Sequence, residues 1–468
     1  PSNFSTHYSN SILKKIKKNP TTFLIFLYSI YFLFIYYTII KKTSNTSLPL
    51  ARTWTLMLLL VTCLLYWSRM AMPICAVTMA KEFGWSKTET GIVLGAFFWG
   101  YCFTQVLGGH ASDRIGGERV LLLSTSSWAV MTAITPLLAN IGLRPLVTMT
   151  VTRFLLGVMQ GVHYPSLVSI CAQRVVEGER GFLMSTLVSL SLRMLLVGGV
   201  GSLMMDWFGW GSVFYGAGLL AVCWTCCVRK CLLQGPVFSL YSPWSSSSAS
   251  ESSRINWLYL LREPSVWAMI IAHLCFSSTH YTLISWLPTF FKDMFPHAKD
   301  WVFNVMPWFV ALPTSLFGGS ISDHLIRQGE QIQRTLMGMH IYFFCAMGVA
   351  SVFILLLCKT DSFIYAVACV SLAVGLSTFN NSGVSVNVHD QAPSCAGALF
   401  GVMNTCSAFT GLLLVYLSGY MIEITGSWVN VFSILALVNV TGVTVFIALG
   451  EAKRVDHNYH SLNTHDIR

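Results

Sequence analysis

Gly109-His-Ala-Ser-Asp113-Arg114-Ile-Gly116-Gly117-Glu-Arg119 and Gly319-Ser-Ile-Ser-Asp323-His324 are two copies of one short pattern, a glycine followed four residues later by an aspartate. Each copy follows an apolar run of about 20 residues, the length that crosses a bilayer as a helix. The first copy comes after the second such run and the other after the eighth. A single copy reads equally well as a solvated turn. Two copies at matching places imply a duplicated six-span unit, an arrangement in which the halves rock about a central site.

Outward from the first copy, the apolar runs are Trp54–Met79, Glu89–Gly109, Val120–Ala139, Pro145–Cys171, Phe182–Asp206 and Ser212–Val228. Around the second they are Val266–Phe290, Trp301–Ser322, Thr335–Cys358, Phe363–Val388, Ala396–Tyr420 and Trp428–Gly450. The expected fold is an all-α membrane protein of twelve spans in two six-helix halves. Its parts are an N-terminal extension (1–52), a first half (53–230), a linker (231–263), a second half (264–450) and a tail (451–468). The linker contains a serine-rich run, Tyr241 to Ser253, too polar to bury a core.

Composition agrees with lipid as the main solvent. Of the 468 residues, 54% are hydrophobic and 10% charged, against about 25% charged in soluble domains. The net charge of +10 is scattered in short clusters between spans, which excludes a nucleic acid polymer as partner. Cys223, Cys226 and Cys227 cluster without a histidine or acidic companion, so no metal site is expected. Neither a nucleophile–base pair nor any other catalytic constellation is present, so no enzyme is expected.

Lys and Arg are more frequent at the ends that both halves share as start and finish, Arg114, Arg119, Arg174 and Arg454 among them, which places those ends in the cytoplasm. Phe23 to Ile40 is a further apolar run with lysines on both sides, and the residues alone leave three readings of it: an extra span, an uncleaved anchor or a gene-prediction artefact.

Three arginines fall inside spans: Arg69 in the first, Arg153 in the fourth and Arg193 in the fifth. A mid-span charge costs at least about 2.5–3.5 kcal/mol and marks function by default. No Asp or Glu occupies the middle of any span. A cavity with guanidinium groups and no carboxylate suits anions and repels cations, and the planar guanidinium fork suits phosphate or carboxylate best. All three arginines are candidate anion-binding residues. His163, His273 and His280 read either as proton relays or as neutral residues bonded between helices. The glycine pairs Gly91/Gly95, Gly157/Gly161 and Gly397/Gly401 are spaced for close helix packing. Gly109, Asp113 and Arg114, with Gly319 and Asp323, form the expected conformational latch, in which Asp113 faces a helix N-terminus near Ala396 in the other half.

The paired loops resemble those of the major facilitator superfamily. Ser68-Arg69-Met-Ala-Met-Pro-Ile-Cys75, Gly91 through Gln105, Arg153-Phe-Leu-Leu-Gly-Val-Met-Gln160-Gly-Val-His-Tyr-Pro165, Ser285-Trp-Leu-Pro-Thr-Phe-Phe291 and Phe379 through Gly397 resemble solute carrier family 17 within it, and most of all its vesicular nucleotide carriers. The resemblance implies uptake of ATP, ADP and GTP into secretory or synaptic vesicles or lysosomes, driven by an inside-positive potential and activated by chloride. It ties Arg69 and Arg153 to anion binding, which makes them the expected substrate-binding residues, with Gln160, His163 and Tyr164 as neighbours. The family's glutamate and sialic acid carriers have an acidic residue where Gln160 stands, and its glutamate carriers have His and Arg where Leu94 and Phe276 stand. An anion of charge near −3 gains about 7 kcal/mol from 100 mV, so potential alone suffices for a nucleotide. The alternatives are a carrier of another organic anion (an acidic sugar, urate or phosphate) and an anion channel.

Overall fold

The structure is a computed structural model that describes residues 49–141, 144–174, 190–229, 260–311, 313–314, 340–341, 343–378 and 396–451. The apolar run Phe23–Ile40, the serine-rich linker, Gly319 and Asp323 lie outside these residues. The helices of the first half are α1 (Pro49–Phe83), α2 (Lys87–Ile115), α3 (Gly117–Ile141), α4 (Pro145–Gly161), α5 (His163–Arg174), α6 (Leu190–Phe208) and α7 (Trp210–Val228). The second half has α8 (Pro264–Met294), α9 (residues 300–311), α10 (Ala350–Leu356), α11 (Phe363–Ser377), α12 (Ala396–Thr425) and α13 (Trp428–Leu449). Every predicted span contains one of these helices. Among the described residues, seven helices are long and apolar enough to cross a membrane, and none of those residues is in a strand.

Among the described residues, two spans differ from the expected continuous helix. The fourth is broken at Val162 into α4 and α5. Pro165 has no N–H to donate back to the Gly161 carbonyl, so the helix cannot run through unchanged. The ninth carries a π-helical turn, Phe344–Val349, ahead of α10, and a 3-10 turn, Leu357–Lys359, after it. Periodicity does not reveal such local changes of winding.

Turn chemistry repeats between the halves. Gly209 joins α6 to α7 with φ 82°, and Gly426 joins α12 to α13 with φ 63°, a conformation that favours glycine. They occupy the same place in each six-helix unit, which supports the duplication. In α2, Ser86 and Glu89 form a reciprocal capping box that fixes where the helix begins.

The packing that positions the site runs along α2. A Cβ at Gly157 would strike the Phe97 carbonyl, and one at Gly100 would strike the Phe154 carbonyl, so α2 and α4 touch backbone to backbone. On its opposite side α2 meets α12, where a Cβ at Gly95 would lie 3.1 Å from the Leu412 side chain. The Trp286 indole of α8 donates to the Val415 carbonyl of α12 at 2.9 Å, behind Gly91. Nothing stands within 4 Å of a Cβ at Gly401, so its pairing with Gly397 marks no close approach there.

Contacts between the halves gather at the end of the bundle that carries the α1–α2 turn. Lys87 pairs with Asp293 of α8 at 2.6 Å, and Glu423 of α12 accepts from the Thr88 N–H at 2.7 Å. Deeper in, the Asn304 amide of α9 donates to Ser202 of α6 at 2.9 Å.

Candidate functional site

Four helices of the first half converge on one buried cage. Tyr66 and Arg69 lie three residues apart on α1, and Phe97 and Tyr101 four apart on α2, so each pair shares a helix face. Arg153 and Gln160 are two turns apart on α4, and His163 and Tyr164 open α5 just past the break. The close approach at Gly157 and Gly100 brings the α4 face against α1 and α2.

Arg69 donates from Nε to the Gln160 Oε1 at 2.9 Å. Gln160 is fully buried and uses its amide nitrogen on Ser68 at 3.1 Å, and the Ser68 hydroxyl meets that of Thr132 at 2.6 Å. The Arg69 guanidinium carbon stands 4.7 Å from the centroid of Tyr101 and 5.3 Å from those of Tyr66 and Phe97. It is thus held inside the protein and does not reach out to headgroups. Arg153 is 3% exposed, with its guanidinium 5.0 Å from the Phe97 ring and its Nη2 directed at the Arg69 carbonyl at 3.4 Å. The two guanidinium groups therefore share the Phe97 ring.

Among the described residues, Arg69 Nη2 and Arg153 Nε and Nη1 are buried donors with no protein acceptor. Each buried unpaired donor of this kind costs about 1–3 kcal/mol, and more when charged. The rings around them hold the cations by their quadrupoles without cancelling the charge. The buried carboxylates among the described residues are Glu118, in the first turn of α3, and Asp300, at the start of α9 beside Lys292. Neither stands mid-span, so the cage has positive potential and a set of donors directed at what an oxyanion would supply.

The predicted residues Arg69, Arg153, Gln160 and Tyr164 thus come together. His163 lies beside them, fully buried, with both ring nitrogens lacking a protein partner among the described residues and its ring 5.9 Å from that of Tyr164. His273 bonds Asn404 at 3.2 Å across α8 and α12. The aromatic walls Tyr66, Phe97 and Tyr101 were not singled out from the sequence. Their signal was there, because Tyr66 precedes Arg69 by one turn and Phe97 and Tyr101 repeat at helical spacing. Arg193 of α6, left without a role by the sequence, stands over the Tyr66 ring at 4.1 Å.

Of the expected latch residues, Gly109 and Arg114 are described. A Cβ at Gly109 would meet only Pro165 at 3.7 Å, an ordinary contact. The tight approach of α2 falls at Gly108, against Val162 at the break, and that of α3 to α5 at Gly117, against Ser166. Arg114 is exposed, and the side chain of Asp113 lies outside the described residues.

Comparison with known proteins matches residues 57–415 to the Major Facilitator Superfamily. The chain is 48% identical over 416 residues to the human voltage-gated purine nucleotide uniporter SLC17A9, covering 88% of this chain and 94% of that one. It is likewise 48% identical to the mouse protein of the same name, covering 89% and 93%. A solved bacterial homologue of the human lysosomal transporter Spinster, inward-facing and unoccupied, superposes with a TM-score of 0.66 at 14% identity, covering 86% of this chain and 96% of that one.

Proposed function

Because the chain belongs to the major facilitator superfamily and, within it, to solute carrier family 17, we propose that it is a multi-pass membrane carrier, not an enzyme, that moves purine nucleotides such as ATP, ADP and GTP by alternating access. The observation that carries this reading is the pair of buried guanidinium groups, Arg69 and Arg153, whose free donors face an environment without a mid-span carboxylate. A phosphate can accept two parallel hydrogen bonds from such a fork. Gln160 orients Arg69 as a neutral amide and so leaves the charge for the cargo.

The driving force follows from the same charge balance. With no acidic residue beside Arg69 among the described residues to carry a proton, a multiply charged anion is pulled through by an inside-positive potential at about 2.3 kcal/mol per charge per 100 mV. Secretory or synaptic vesicles and lysosomes supply such a potential. Chloride, a small anion suited to a cationic cage, is the activating ion. The contacts of Lys87 with Asp293 and of Thr88 with Glu423 close the end of the bundle assigned to the lumen, and loading takes place from the other side.

The test is uptake of labelled ATP into proteoliposomes with an imposed inside-positive potential. Saturable uptake, counterflow, and competition by ADP and GTP but not by urate, glutamate or an acidic sugar are expected. Preferential uptake of one of those monovalent acids, or single-channel current steps, would overturn the reading.

A further inference from the structure

Four successive residues of α8 each meet a different neighbour. Ser278 bonds Thr410 of α12 at 2.8 Å, and Thr279 bonds Asn439 of α13 at 2.7 Å. The His280 ring meets Trp308 of α9 edge to face at 6.0 Å, and the Tyr281 ring lies 4.7 Å from Phe98 of α2. Helix α8 is thus enclosed at this depth, and His280 points into the protein, not at lipid. Its ring stacks on Phe276, one turn earlier on the same helix face, at 5.8 Å with 11° between the planes. The Nε2 of His280 is buried and has no partner among the described residues.

This cluster stands close to the arginine cage. Phe97, whose ring the two guanidinium groups share, is 5.5 Å from Phe98, and Phe98 packs on Tyr281, the residue after His280. On α9, Asn304 lies one turn before Trp308 and donates to Ser202 of α6, and a Cβ at Gly198 of α6 would strike the Asn304 carbonyl. Both α8 and α9 therefore touch the first half beside the cluster, which puts it at the seam between the halves.

We propose that Phe276, His280 and Trp308 form the subsite for the purine base of the cargo, so that a nucleotide lies across the seam with its phosphates on the first half and its base on the second. The inference rests on the nucleotide reading and deepens it. Phe276 and Trp308 supply aromatic surface, on which a base of any kind can stack. His280 supplies the selectivity. With the proton on Nε2, its ring donates to N7, an acceptor that adenine and guanine share, whereas cytosine presents an amino donor on the corresponding edge. A partner for Nε2 also removes the cost of a buried polar atom left unpaired. Because the two ends of the cargo belong to different halves, a nucleotide ties them together, while a bare polyphosphate engages the first half alone.

The experiment measures inhibition of labelled ATP uptake into proteoliposomes by unlabelled ATP, CTP and inorganic tripolyphosphate, for the wild type, Phe276→Leu and His280→Phe. In the wild type, ATP competes on the order of tenfold better than tripolyphosphate, the scale of one stacked base, and several-fold better than CTP. Phe276→Leu removes a stacking face, so the advantage of ATP over tripolyphosphate falls toward one while tripolyphosphate inhibits as before. His280→Phe keeps a ring but loses the nitrogen, so the advantage of ATP over CTP falls toward one and that over tripolyphosphate is largely retained. If all three competitors weaken together with their ratios intact, these residues only support the packing and the inference is overturned. An unchanged ratio in either variant overturns it too, as does a wild type in which tripolyphosphate matches ATP. Should one variant fail to fold, the other decides alone. A wild type that takes up no nucleotide would instead sink the nucleotide reading itself, which keeps the two failures apart.

Discussion

The Nε of Arg69 donates to the Oε1 of Gln160 at 2.9 Å, which orients a buried cation with an uncharged partner. A carboxylate in the same place would make the same hydrogen bond and cancel the charge. Gln160→Glu is therefore expected to lower ATP uptake on the order of tenfold or more, since a hydrogen bond to a charged group is worth about 1.5–3 kcal/mol. Acidifying the loading side should return part of the loss, because a protonated carboxyl is neutral again. Uptake measured against pH in the variant and the wild type checks both the drop and the sign of the pH dependence.

Arg153 offers two donors that have no protein acceptor among the described residues, so its geometry counts as well as its charge. Arg153→Lys keeps the charge but loses the fork, and uptake is expected to fall about as far as in Arg153→Ala, by roughly a hundredfold on the scale of a charged hydrogen-bond pair. Rates close to wild type in the lysine variant would show that the fork is not used.

The glycines make opposite predictions within one protein. Gly157→Ala places a methyl on the Phe97 carbonyl of α2, where neither backbone can move away, and should destabilise by about 1–3 kcal/mol. Gly401→Ala meets nothing within 4 Å in the interior of α12, and should be neutral or stabilising by up to about 1 kcal/mol through helix propensity. Thermal unfolding of the two purified variants compares them directly.

At the closed end, Lys87 and Asp293 are about one-third exposed, so their ion pair is worth at most about 1 kcal/mol. The Glu423 carboxylate accepts from the Thr88 N–H at the N-terminus of α2, where the helix dipole favours an anion. Removing both by Asp293→Asn and Glu423→Gln should open this end several-fold more often. A cysteine introduced at Thr90, a residue buried just inside the gate, reports the change as faster labelling by an impermeant thiol reagent, read on its own peptide by mass spectrometry. An unchanged labelling rate would mean that the gate is held by the glycine seam alone.

Much of this protein was legible from the sequence because the bilayer simplifies the physics. Lipid demands long apolar helices, so span positions follow from composition, and a mid-span arginine stands out because it is expensive. That is why Arg69 and Arg153 stand out in the sequence, whereas Gln160 is marked only by the family resemblance. The break at Val162 and the π turn at Phe344–Val349 were not legible, since both are local changes of winding inside apolar runs. The aromatic cage was hidden for a related reason: Tyr66, Phe97 and Tyr101 look like ordinary span residues until the α2–α4 contact puts their faces on the arginines. Gly109 stands out through its motif, yet the tight contacts fall on Gly108, against Val162 at the helix break, and on Gly117, against α5. Spacing identifies a glycine-rich seam but not the residue that touches.

The central claim is that Arg69 and Arg153 bind the anionic end of the cargo. Equilibrium binding of labelled ATP to the solubilised protein, with Arg69→Ala and Arg153→Ala alongside the wild type and unfolding temperature as the control, tests it without any assumption about the driving force. Binding weakened on the order of a hundredfold in each variant, at an unfolding temperature near that of the wild type, is the predicted result. Wild-type affinity in either correctly folded variant would contradict it.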